Sequence, residues 1–191
     1  GEHEIELTAT DNRGFSFTRK ITITVNNLND NPPISIEFST DSINENIPSL
    51  TEIGTLSTED RDAVDSHTYK IRDAQGNLVS DDGLFKIEGD KILLVFGGNI
   101  DYESVRYYVL NIESTDSGGQ TYETAFLLNV NDLNDNFPSS IRLSYDSIAE
   151  GSANETIIGS LSAVDADVGD SHTFLLKDSA DDRFLIDGNN L

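Results

Sequence analysis

The chain has 191 residues and a formal net charge of −23, with 35 Asp and Glu against 12 Lys and Arg. Such a balance argues against nucleic acid, whose phosphates need cationic side chains, and against direct insertion at an anionic membrane surface. There is no cysteine, hence no disulfide, Cys-zinc site or thiol nucleophile, and no apolar run approaches the length of a membrane-spanning helix.

The predicted elements are strands from the start. Residues 5–10 alternate with period two, Asp11-Asn12-Arg13-Gly14 supplies a turn, and residues 15–18 and 21–25 resume the alternation with β-branched side chains. Together they read as an antiparallel pair. After Leu28-Asn29-Asp30-Asn31-Pro32-Pro33 come candidate strands at 34–38, 51–57, 67–71, 84–87, 91–96, 106–113 and 121–130, separated by Gly, Asp, Asn and Ser clusters. Seven short strands in about 100 residues predict an all-β, Greek-key (Ig-like) β-sandwich. Its core is expected at Ile53, Leu56, Tyr69, Ile71, Phe85, Tyr108, Leu110 and Phe126.

A second link, Asp132-Leu133-Asn134-Asp135-Asn136-Phe137-Pro138, then restarts the sequence. Asn29-Asp30-Asn31 returns as Asn134-Asp135-Asn136, Asp60-x-Asp62 as Asp165-x-Asp167, and Asp65-Ser66-His67-Thr68 as Asp170-Ser171-His172-Thr173. One offset of 105 positions serves them all, so the chain is a tandem repeat. The expected boundaries are 1–33 for the last part of one repeat, 34–136 for a complete repeat with its link, and 137–191 for the first part of another. In the third, residues 157–161, 174–176 and 184–186 track strands of the second.

What recurs is mainly oxygen donors. Two Asn around an Asp before Pro would make a turn unaided, and most surface carboxylates merely solvate a protein. Recurrence at fixed spacing sets these apart, because unneutralised carboxylates repel by roughly 1 kcal/mol per pair at about 4 Å in water. Ca²⁺ takes six to eight oxygen ligands from carboxylates, amides and carbonyls, and no Cys or regular His cluster competes for a softer metal.

Three further motifs accompany the links: Asn44-Glu45-Asn46, Asp101-Tyr102-Glu103 and Asp116-Ser117-Gly118-Gly119. With Asp60-Arg61-Asp62 they resemble the cadherin repeat, whose hallmarks are an early Glu, D-x-D, D-x-E, D-x-G and an inter-repeat D-x-N-D-N-P. The phrases around Ile158–Asp167 and Gly169–Thr173 look most like repeats of large bacterial surface adhesins. The resemblance implies up to three Ca²⁺ at each complete junction. At the second junction Glu45, Asp101 and Glu103 would come from the upper repeat, Asp132, Asn134, Asp135 and Asn136 from the link, and Asp165 and Asp167 from the lower repeat. Its third ion is expected to be incompletely caged, since the lower D-x-G aspartate would fall beyond Leu191. At the first junction Asn29, Asp30, Asn31, Asp60, Asp62 and Asp116 are expected to keep the third ion, with the upper pair weak or absent. Asn27, standing where the family has Asp, removes a charge there. By the same register Asp11 and Glu150 would serve other junctions.

The implied function is a calcium-binding, extracellular or cell-surface adhesion segment in which ions at the junctions turn hinges into struts. Its partners would be adjacent repeats of the same chain, and homophilic contact is possible. The competing reading is a carbohydrate- or protein-binding module, with Tyr102, Tyr107, Tyr108 and Tyr122 as candidate contacts or, more plainly, packing residues. Catalysis is not expected. Asp60 and Asp62 recur beside a link rather than an evident cleft, and strand neighbours such as Asp65-Ser66-His67 point to opposite faces. His67 and His172 read as strand openers rather than ligands. Adhesion by exchange of a Trp-anchored strand is disfavoured, as no Trp is present.

Overall fold

The computed structural model describes residues 1–62, 65–96 and 100–191. Among them are thirteen β-strands and no helix, so none is long and apolar enough to cross a membrane. The chain divides into two compact units. Unit 1 comprises Gly1–Asp41, Pro48–Phe96 and Val109–Leu128; unit 2 comprises Ser42–Ile47, Gly97–Tyr108 and Asn129–Leu191.

Unit 1 opens with the expected hairpin. Strands β1 (Glu2–Thr10) and β2 (Ser16–Thr24) pair antiparallel over their full length. Asp11 closes the turn by accepting the amides of Arg13 and Phe15 on Oδ1, both at 2.9 Å. The sandwich of the same unit has two sheets. One runs β3 (Ser35–Phe38), β5 (Glu52–Glu59), β9 (Lys91–Leu94), β8 (Phe85–Glu88). The other runs β11 (Thr121–Asn131), β10 (Tyr107–Thr115), β6 (Thr68–Arg72), β7 (Leu78–Val79), the first two strands extending also into unit 2. Alternation puts Leu110, Ile112 and Ser114 of β10 inward, and they are buried together with Ile92, Leu94, Phe85 and Ile87 of the other sheet in the core. Phe38 and Phe126 meet edge-on at 5.7 Å, and Thr58 Oγ1 lies 2.9 Å from both Tyr69 OH and Ser114 Oγ. Strand β5 departs from strict alternation: its register against β9 shifts between Glu52 and Gly54, so its buried residues Ile53 and Leu56 are three apart.

Unit 2 holds the short β4 (Ser42–Asn44), which lies parallel to Asn129–Asn131 of β11, with Ile43, Ile100 and Val130 buried. It also holds β12 (Ser140–Leu143) paired antiparallel with β13 (Leu161–Val164).

The all-β sandwich is as expected, and a strand is present at each of the seven places anticipated within 34–136. The described residues add β4 and β7, too short to carry a periodic signal. Of the expected core, Ile53, Leu56, Ile71, Phe85 and Leu110 are buried, while Tyr69, Tyr108 and Phe126 are half-buried. Residues 174–176 and 184–186 form no strand. Their counterparts β6 and β8 are held by full ladders with β10 and β9, whereas near residues 184–191 the described strand pairing is limited to the isolated bridges Asp187–Asn190 and Ser160–Asn190. Without a ladder, apolar alternation alone does not make a strand.

Candidate metal centres

In unit 1 the link wraps around Asp62, a buried carboxylate. Its Oδ2 accepts the amides of Asp30 (3.0 Å) and Asn31 (2.9 Å), and its Oδ1 accepts Asn31 Nδ2 (2.9 Å) and Asn27 Nδ2 (3.4 Å). The Asn31 amide, followed by its side chain, holds the Asp62 carboxyl below its ordinary range. Asp62 in turn donates its own amide to Asp60 Oδ1 at 2.9 Å, fixing the D-x-D turn. Asp30 Oδ1 takes Asn31 Nδ2 at 3.0 Å.

Asn29 and Asp116 contribute in a different manner. Asn29 Nδ2 donates to Ser117 Oγ (2.7 Å), and that hydroxyl donates to Asp65 Oδ1 (2.6 Å). The nitrogen of the Asn29 amide is thus turned to Ser117, and its Oδ1 is buried with no hydrogen-bond partner. Asp116 Oδ1 accepts the Gln120 amide at 2.7 Å, closing the β10–β11 turn, and leaves Oδ2 buried and unpartnered. Asp65 Oδ2 is a third such atom. Burying acceptors without donors is costly, and bare oxygens on residues of one loop cluster are the arrangement a hard cation requires. The glycine of D-x-G fits the same purpose, because a Cβ on Gly118 would stand 2.8 Å from Asn29 Oδ1.

In unit 2 the larger set converges. Glu45 is 1% exposed, and its two oxygens accept the amides of Tyr102 (2.8 Å) and Leu133 (2.7 Å). One carboxylate therefore ties the D-x-E loop to the link. Ligand oxygens of Glu45, Glu103 and Asp135 lie within 4.8 Å of one another, as do those of Glu103, Asp132 and Asp167. Asp132 Oδ1 is buried without a partner, while its Oδ2 accepts the Val168 amide at 2.5 Å. Asn136 binds Asp167 as Asn31 binds Asp62, with the backbone amide to Oδ2 at 3.0 Å and Nδ2 to Oδ1 at 2.9 Å. Asp165 accepts the Asp167 amide at 3.3 Å.

Asp101 faces its own loop, accepting Ser104 Oγ at 2.7 Å and the Glu103 amide at 3.2 Å. The Ser104 hydroxyl, ahead of Glu103, lowers the Asp101 carboxyl. Glu103 is pushed up by loss of surrounding water, then by Asp101 and Glu45, although the residue as a whole stays exposed. Asn134 donates through Nδ2 to Asp170.

Several residues at these sites escaped the sequence reading. Asn46, at φ +57°, donates Nδ2 to Asp135. The histidines do not open strands: β6 begins one residue after His67, and no strand includes His172. Instead His67 Nε2 lies 3.2 Å from Asp60 Oδ2, and His172 Nε2 lies 3.0 Å from Asp165 Oδ2. The recurrence of Asp65-Ser66-His67 was the signal that could have found them. Asp11, the counterpart of Asp116, holds its hairpin turn.

Among known proteins, residues 40–131 match the Cadherin domain model. Human protocadherin gamma-A12 is 34% identical over 174 residues, covering 87% of this chain and 18% of that protein. Human protocadherin Fat 4 is 31% identical over 196 residues, covering 97% of this chain and 4% of that protein. The chain thus spans less than a fifth of the length of these relatives. The crystal structure of the protocadherin GammaB4 extracellular domain superposes with a TM-score of 0.57 at 26% identity, covering 99% of this chain and 31% of that one. The human desmocollin-1 ectodomain shares the fold, with a TM-score of 0.60 at 22% identity over 88% of this chain and 33% of that one. These relatives are animal proteins, and the likeness of two phrases to bacterial adhesins gains no support from them. With the D-x-D, D-x-E, D-x-G and link motifs on one sandwich frame, the chain belongs to the cadherin family.

Proposed function

We propose that this chain is an extracellular, cell-surface adhesion segment whose acidic seams bind Ca²⁺ and thereby stiffen a row of tandem sandwiches, with repeats at 1–33, 34–136 and 137–191. The observation that carries this reading is the meeting in unit 2 of Glu45 and Glu103, Asp132 and Asp135, and Asp167, which the sequence assigns to an upper repeat, a link and a lower repeat. Unneutralised, these charges repel one another. Calcium, when bound, supplies the positive centre that makes their proximity favourable.

The rest is done by the chain. Glu45 holds the link from above through the Leu133 amide, and Asp167 holds it from below through Asn136. Asp132, with one oxygen buried and unpartnered, is left open to a cation. In unit 1 the bare oxygens of Asn29 and Asp116, with Asp60, Asp62 and the link residues Asp30 and Asn31, support a further ion. Up to three ions per complete junction fit the donor set. Extracellular calcium modules have affinities near 10⁻⁴–10⁻³ M, so such seams fill outside the cell. Partners on this reading are neighbouring repeats and, through another surface, a second copy of the protein.

Small-angle X-ray scattering in millimolar calcium and in chelator tests the proposal. A larger maximum dimension and narrower flexibility with calcium are expected, and Asp135→Ala should shift the calcium midpoint at the second seam upward by about tenfold or more. Identical scattering with and without calcium would overturn the reading.

A further inference from the structure

Two clusters carry a nitrogen where the motif set above supplies only oxygen. His67 Nε2 stands 3.2 Å from Asp60 Oδ2 and 3.8 Å from Asp65 Oδ2. Ligand atoms of the three residues lie within 4.8 Å of one another, and the same holds for Asp165, Asp170 and His172. The His67 ring is 12% exposed, and the Asp60 and Asp65 side chains 4% and 2%. Asp65 Oδ1 is fully occupied by Ser117 and Ser66 donors, but Oδ2 is buried without a partner and turned to the imidazole at a distance too long for a hydrogen bond.

We infer that each trio is a mixed nitrogen–oxygen metal site for a first-row transition dication of the Zn²⁺ class. Bonds of about 2.0–2.1 Å to imidazole nitrogen and carboxylate oxygen place tetrahedral ligand atoms roughly 3.3–3.4 Å apart, which the 3.2 Å between His67 and Asp60 already matches and which a bound ion reaches at Asp65 by drawing that carboxylate in from 3.8 Å. Ca²⁺ takes oxygen ligands, whereas imidazole suits Zn²⁺, Cu²⁺, Fe²⁺ and Ni²⁺. Two carboxylates and a neutral imidazole balance the dication's charge, and a water completes the set. The trio lies inside one repeat, so its occupation does not depend on a neighbouring repeat. It shares Asp60 or Asp165 with the calcium reading, but its test requires no calcium.

The test uses Co²⁺ as a visible probe for Zn²⁺, on chelator-stripped, calcium-free protein. His3, the remaining histidine, is replaced by Ala in every sample so that imidazole signals arise from the two sites alone. The expected result is saturable binding of two Co²⁺ per chain with ligand-field absorption in the visible, displaced by Zn²⁺. His67→Gln with His172→Gln should abolish the absorption and weaken Co²⁺ binding by about tenfold or more. Should that variant lose its β-sheet circular dichroism, nitrogen-detected NMR of the parent chain decides, since Co²⁺ must shift or broaden both Nε2 resonances. Absence of saturable binding, an unchanged spectrum in the folded double variant, or unmoved Nε2 signals would overturn the inference. A failed calcium response with Co²⁺ binding intact would remove the seam proposal and leave this one standing.

Discussion

Gly118 serves its site by having no side chain. A Cβ at that position would crowd Asn29 Oδ1 at 2.8 Å and the Asn29 carbonyl at 3.3 Å, displacing the one face of the amide that faces no donor. Gly118→Ala is therefore expected to weaken calcium binding in unit 1 by about tenfold while leaving far-UV circular dichroism unchanged. Calorimetric titration checks this, and an unaltered isotherm would remove Asn29 from the ligand set. The carboxylates themselves are legible in the sequence because spacing and recurrence are both linear properties. Partner choice is not linear. Asp65 and His67 recur as faithfully as Asp60 and Asp62, but reading His67 as the first residue of a strand hides its approach to Asp60. His67 stands just ahead of β6, outside the alternation, and its ring is free to turn onto Asp60. Asn46 is hidden for a related reason, since its left-handed φ, which aims Nδ2 at Asp135, leaves no trace in composition.

Among the elements, β5 shows where pattern and geometry part. Its register shift at Gly54 coincides with a close approach: a Cβ there would sit 2.6 Å from Phe38 Cε2 and 2.8 Å from Ser39 Oγ. The counterpart 105 positions on, Gly159, is as tightly placed against the backbone of Tyr145. Gly54→Ala is expected to cost about 1–3 kcal/mol through overpacking, read as a lower urea midpoint with unchanged slope. A midpoint equal to that of the parent would contradict the crowding. Long strands such as β10 and β11 are readable because nine or more residues hold an alternation. The three residues of β4 cannot, and their strand character comes from parallel pairing with Asn129–Asn131. The reverse error at 174–176 and 184–186 has the same root, for alternation describes which face is apolar and says nothing of whether a neighbour is there to bond.

For the whole molecule, the carboxylates define an acid profile. In chelator, the Glu103 carboxyl, raised above its ordinary 4.5, favours the folded state below that value and loses this contribution as pH rises through its folded pKa. Asp62, Asp65, Asp73 and Asp165 are lowered from 3.8, chiefly by the Asn31 amide, the Ser117 hydroxyl, the Asn77 amide and the His172 ring respectively. Their contribution is full above 3.8 and fades as pH falls through the lowered values. Relief of the −23 net charge acts in the same direction as Glu103. Calcium-free melting temperature should rise from pH 7 towards about 4.5 and fall below 3.8, and thermal scans across that range check it. A steady decline from pH 7 would show that these groups do not govern the balance.

One consequence concerns load. Leu133 is gripped by Glu45 and Asn136 by Asp167, with only Asn134 and Asp135 in between. Fully drawn out, that tether reaches roughly 10 Å, so there is hardly any slack to take up. Tension applied along the chain passes at once into backbone amides clasped by carboxylates, and the yield point belongs to the shearing of those clasps rather than to the uncoiling of a loose connector.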